Sequence, residues 1–196
     1  MVGINEDLGL QVKLEAVLME KPRRHTQALG LNLDRCYLTG DSAGALLSLF
    51  VLSIHGSTAL QHTFGIQPSG ISFRACGLIS IMLDTQRHDL MRAIRDQVTD
   101  THDQGKPYVP YLLDPVLLVR EADLPPIWQV TSAEYLIHMD SLKLEKALTE
   151  HGTVHQLRDF PKGAERRLVH VFSVAYPMYP ESRQVFQEMD AFFKAH

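Results

Sequence analysis

Residues 36–39, Cys-Tyr-Leu-Thr, form a short apolar run that passes through Gly40-Asp41-Ser42-Ala43-Gly44 into a second apolar run. In that second run Ala45, Leu46, Leu47, Leu49, Phe50, Val51, Leu52 and Ile54 are apolar nearly all round. A helix of that kind has no solvent face and must be covered on most sides. A strand that turns directly into a buried helix is one half of a βαβ unit. This junction constrains the fold more than any other feature of the chain.

The remaining sequence continues the alternation. The spacing predicts a helix over 6–29, kinked at Pro22 and stopped by Gly30. Residues 36–39 read as a strand and 43–55 as a helix, and 56–72 as loop or partial helix. Residues 75–82, "ACGLISIM", form a nearly continuous apolar run of strand length, as in a buried parallel sheet. An amphipathic helix is expected over 86–98. Residues 99–115, rich in proline and tyrosine, read as a lid or cap. A third strand over 127–131 follows Pro125-Pro126. A helix over 140–151, with Asp140 as its N-cap, ends at Gly152. A fourth strand over 154–160, a loop over 161–180 and a closing amphipathic helix over 181–195 complete the chain. Strands alternating with helices imply an α/β fold: one domain over 1–196, with a mostly parallel sheet, helices on both faces and right-handed crossovers.

Composition narrows the function. Of 196 residues, 45% are hydrophobic, enough for a substantial single core. A net charge of −4 gives no basic field for nucleic acid or an anionic membrane surface. Cys36 and Cys76 lie in apolar runs, as buried free thiols do, and the scattered histidines show no metal-ligand spacing. No G-x-G-x-x-G or phosphate-binding loop is present. Without a positive leader or an apolar run of about 18 residues, the expectation is a soluble cytoplasmic protein.

In a parallel α/β sheet, reactive groups gather at the carboxyl ends of the strands. Ser42 ends the first strand, residues 132–140 follow the third and residues 162–170 follow the fourth. A serine on a tight strand-to-helix turn needs small flanking residues, here Gly40, Ala43 and Gly44, with Asp41 between strand and serine. Such a turn lifts the hydroxyl off the sheet and sets the Ala43 N–H at a helix N-terminus, facing a developing oxyanion. The base that serine chemistry requires is best supplied by His170, in "RRLVHVFSV". His138 is an alternative, while His55, His62 and His155 fall in or beside regular elements. The orienting acid comes from "TSAEYLIHMDS" and is Glu134 or Asp140.

With those residues in place, "DRCYLTGDSAGA", "LPPIWQVTSAE", "SLKLEKALTEHG" and "HVF" resemble the hormone-sensitive-lipase-like branch of the α/β-hydrolases, from about residue 10 to the C-terminus. The resemblance implies hydrolysis of short acyl esters through an acyl-enzyme on Ser42, with His170 as base and without metal or cofactor. The sequence departs from the family pattern in three ways. No Gly-Gly pair occurs anywhere, so the family's H-G-G-G oxyanion motif is absent, together with its early strands and cap helices. Leu136 stands where the family's A-E-Y-D carries its acid, and Val169 replaces the glycine before the histidine. A sheet shortened in this way exposes an edge that dimerisation would cover. Two functions are therefore expected: a serine carboxylic-ester hydrolase, or a degenerate hydrolase scaffold that serves as a binding module with little catalysis.

Overall fold

The computed structural model describes residues 35–66, 71–84, 105–163 and 166–196. The helices expected over 6–29 and 86–98, and residues 99–104 of the expected cap, lie outside the described residues.

Four strands form one parallel sheet in the order β1-β2-β3-β4: β1 Cys36–Asp41, β2 Phe73–Ile79, β3 Ile127–Ser132 and β4 His155–Phe160. Helix α1, Ala43–His55, follows β1 directly. Short helices α2, Thr58–Phe64, α3, Val109–Leu113, and α4, Val116–Glu121, precede β3. Helix α5, His138–His151, crosses to β4. Helices α6, Phe172–Ala175, and α7, Pro180–Ala195, end the chain.

Period-two alternation divides the core between the two faces of the sheet. Cys76, Leu78 and Ile127 join Leu46, Leu49, Phe50 and Leu144 from α1 and α5 in one buried cluster. Ala75, Ile79, Trp128 and Val130 join Val185, Met189 and Phe192 from α7 in the other. Gly77 belongs to the second face, where an added Cβ would run into Met189 Sδ. The missing side chain lets α7 approach the sheet. Side chains of this size stabilise by about 1.5–3 kcal/mol each when fully buried.

Local chemistry sets several element ends. Ser57 caps α2 by accepting the Leu60 N–H at 3.2 Å. Gly152, at φ +77°, ends α5 in the left-handed conformation. Pro180 starts α7, with Glu181 in its first turn.

The expected α/β architecture is present, with local corrections. The second strand runs over 73–79 instead of 75–82. Ser80 leaves it at φ +50°, conformationally unsuited to a strand. Residues 58–64 supply the partial helix allowed for within 56–72, 109–113 are helical within the stretch read as a cap, and 172–175 are helical where loop was expected. Asp140 is not an N-cap: α5 begins at His138, its N-cap residue is Ile137, and Asp140 sits in the first turn. Among the described residues no single helix is long and apolar enough to cross a membrane.

Neither thiol is in a disulfide; Cys36 is half-buried and Cys76 fully buried. Burial pushes the Cys76 thiol far above its ordinary range. Iodoacetamide at pH 8 is expected to modify Cys36 in the native protein and Cys76 only after denaturation. Mass mapping of the two peptides checks this.

Candidate active site

The junction that dominates the sequence folds into a strained elbow. Ser42 sits at φ 55°, ψ −118°, one of three non-glycine residues with positive φ among the described residues. Such a conformation persists only where its surroundings over-determine it. Here the Ser42 N–H donates to the Ile79 carbonyl at 2.9 Å. The Ser42 carbonyl accepts from Leu46 N and Met82 N, both at 3.3 Å. Gly40 has no room for a side chain: a Cβ there would meet the Gly44 carbonyl and lie 2.7 Å from Ser48 Oγ. Ala43 is the first residue of α1, while Asp41 lies exposed at the end of β1.

His170 Nε2 lies 2.8 Å from Ser42 Oγ, across 128 residues of chain. Its loop is held at several points. Val169 N donates to the Arg167 carbonyl and Phe172 N to the Val169 carbonyl. Val171, at φ 53°, donates its N–H to Ser80 Oγ at 3.3 Å. The Tyr135 ring meets the imidazole edge-on, centroids 5.9 Å apart. Burial pushes the Tyr135 phenol up to about 12, against smaller opposing pulls from Ser80 and Phe172. The ring therefore stays neutral beside the histidine.

His138, His55 and His155 have other partners. His138 Nε2 lies 3.0 Å from Asp159 Oδ2. His55 Nδ1 lies 2.8 Å from the Val51 carbonyl, and His155 contacts the Thr153 carbonyl and Glu145. The two candidate acids face different neighbours. Glu134 Oε1 accepts the Gly163 N–H at 3.4 Å, and its Oε2 pairs with Arg167 Nε at 3.5 Å, both on the histidine's loop. Asp140 is 2% exposed, and its Oδ2 accepts the N–H groups of Leu83 and Asp84, each at 2.8 Å. Leu136 is 84% exposed.

Sequence reading missed Ser80, Met82 and Tyr135 as members of this arrangement. Its one available signal was a polar residue, Ser80, interrupting the apolar run at the carboxyl end of the second strand.

No model of a known protein family matches the sequence. No curated protein matches it significantly. Solved structures do. Esterase B from Lactobacillus rhamnosis superposes with a TM-score of 0.86 at 26% identity, over 96% of this chain and 61% of that one. The chain has the α/β-hydrolase fold. Carboxylesterase Cest-2923 from Lactobacillus plantarum shares the fold at a TM-score of 0.71 and 14% identity, over 96% of this chain and 68% of its own. An esterase from Pyrobaculum calidifontis does so at 0.67 and 16%, over 98% and 62%. The shared fold is the one that the hormone-sensitive-lipase-like resemblance implies. This chain spans about three fifths of the length of the esterase B structures.

Proposed function

We propose that this chain carries the nucleophile and base of a serine carboxylic-ester hydrolase that acts on short acyl esters through an acyl-enzyme. The observation that carries the proposal is the 2.8 Å approach of His170 Nε2 to the hydroxyl of Ser42 on a strained elbow. A neighbouring esterase B structure described with a tributyrin phosphonate supports the substrate class.

In this reading Ser42 Oγ attacks the ester carbonyl as His170 Nε2 takes its proton. The carbonyl oxygen becomes an oxyanion facing the Ala43 N–H at the start of α1. The tetrahedral adduct collapses to an acyl-serine, and His170 returns the proton to the departing alcohol. Water, deprotonated by the same imidazole, then releases the carboxylic acid and restores Ser42. Glu134 supplies the orienting role at the level of the loop, holding Gly163 and Arg167 from outside the imidazole. A fluorophosphonate probe tests the proposal. Covalent labelling that maps to the Ser42 peptide supports it, and no labelling overturns it.

One observation favours a second reading, a hydrolase scaffold with little turnover. The position where the family carries its acid is an exposed leucine. In the Ser-His-Asp template, loss of the orienting aspartate lowers kcat about 10⁴-fold. Leu136→Asp is therefore expected to raise p-nitrophenyl butyrate hydrolysis at least about tenfold, a small part of that factor. An unchanged rate beside strong Ser42 labelling would mean that position 136 does not set the rate.

A further inference from the structure

Residues 80–84, which follow β2, touch both halves of the candidate site. The strand's last carbonyl, on Ile79, accepts the Ser42 N–H, and Met82 N–H donates to the Ser42 carbonyl. Ser80 Oγ accepts the N–H of Val171, the residue next to His170. Ser80 N–H donates to the Val130 carbonyl at 3.0 Å, which ties the segment to β3. Ser80, Ile81 and Leu83 are fully buried. The segment thus sets both the elbow and the turn that presents the imidazole. Its far end is fixed from α5, where Asp140 Oδ2 accepts Leu83 N–H and Asp84 N–H together. A buried carboxylate that takes two amides on one oxygen forms charge-assisted bonds, roughly twice as strong as neutral ones.

We infer that Asp140 is a positioning residue: it pins the 80–84 segment, and through Met82 and Ser80 that segment holds Ser42 and the His170 loop in register. The role rests on the serine-hydrolase reading above. It separates Asp140 from the alternative of an acid bonded to the imidazole, because the two roles respond differently to an amide. An acid that fixes the histidine tautomer loses about 10⁴-fold in kcat when changed to its amide. An anchor for two N–H groups needs only an acceptor oxygen, which asparagine keeps.

The test compares wild type with Asp140→Asn, Asp140→Ala and Ser80→Ala in the full chain. Asp140→Asn is expected to keep kcat for p-nitrophenyl butyrate within about tenfold of wild type. Asp140→Ala and Ser80→Ala are expected to lose about 10²-fold in kcat with KM little changed, the penalty for displacing reacting groups by about 1 Å. Amide hydrogen exchange supplies a readout independent of turnover. Leu83 and Asp84 should exchange faster in Asp140→Ala and remain protected in Asp140→Asn. If Asp140→Ala does not fold, Asp140→Asn and Ser80→Ala decide. An asparagine variant that loses about 10⁴-fold with its amides still protected overturns the inference, as does a Ser80→Ala enzyme with full kcat. If wild type hydrolyses no ester, the hydrolase reading fails by itself. The exchange arm then decides the anchor: unchanged Leu83 and Asp84 exchange in Asp140→Ala refutes it, and faster exchange upholds it.

Discussion

With Ser42 replaced by alanine, hydrolysis of p-nitrophenyl acetate and butyrate is expected to fall to the uncatalysed background. In a complete serine-hydrolase site the corresponding loss is about 10⁶-fold. The measurable fall is set by the wild-type rate above background. His170→Ala should fall to the same level, and the double variant no lower. An alcohol without a base and a base without an alcohol are equally idle. That non-additivity distinguishes a nucleophile–base pair from two residues that merely line a pocket. Equal rates for wild type and Ser42→Ala, measured at matched concentration with both proteins folded, would sink the hydrolase reading.

The approach of His170 to Ser42 was legible because serine chemistry, if present, dictates local sequence. An elbow needs small residues around its serine, and a base needs a loop after the last strand. Both requirements leave marks within five to ten residues of Ser42 and His170. Parallel topology was legible for a related reason: strands 75–82 and 127–131 were expected where β2 and β3 formed, because buried strands must be continuously apolar. Contacts that join distant segments leave no such mark. The bonds from Leu83 and Asp84 to Asp140 span 57 and 56 residues, and that from Val171 to Ser80 spans 91. In the sequence Asp140 is simply an acid near a helix start, and it was read as a cap or as the orienting acid. The four-residue helix Phe172–Ala175 is too short to show a 3.6-residue period, so its segment was read as loop. Ser80 was placed inside a strand because its left-handed backbone follows from the elbow beside it.

The two glycines of the G-D-S-A-G stretch are expected to tolerate substitution in opposite ways. Gly40 is the penultimate residue of β1, and any Cβ there meets the Gly44 carbonyl and Ser48 Oγ. Neither neighbour can easily give way. The Gly44 carbonyl accepts the Ser48 hydroxyl at 2.8 Å and belongs to the first turn of α1, whose start is fixed by Ser42. Forcing methyl groups into such a space costs about 1–3 kcal/mol. In a protein of this size each kcal/mol is worth about 2–4 °C in Tm. Gly40→Ala should therefore lower Tm by about 2–12 °C, and Gly40→Val by more. Gly44 has nothing within 4 Å of an added Cβ and lies in a helix, where alanine is favoured over glycine by up to about 1 kcal/mol. Gly44→Ala should therefore hold or raise Tm, as thermal unfolding followed by circular dichroism will report. Fluorophosphonate labelling supplies the second coordinate. At a temperature where both variants are folded, Gly40→Ala should slow labelling of Ser42 relative to wild type, because relieving the clash means moving the turn that holds the hydroxyl against His170. If Gly40→Ala matched wild type in both Tm and labelling, the tight packing of β1 against the first turn of α1 would be wrong, and with it the reason that Ser42 occupies a strained conformation.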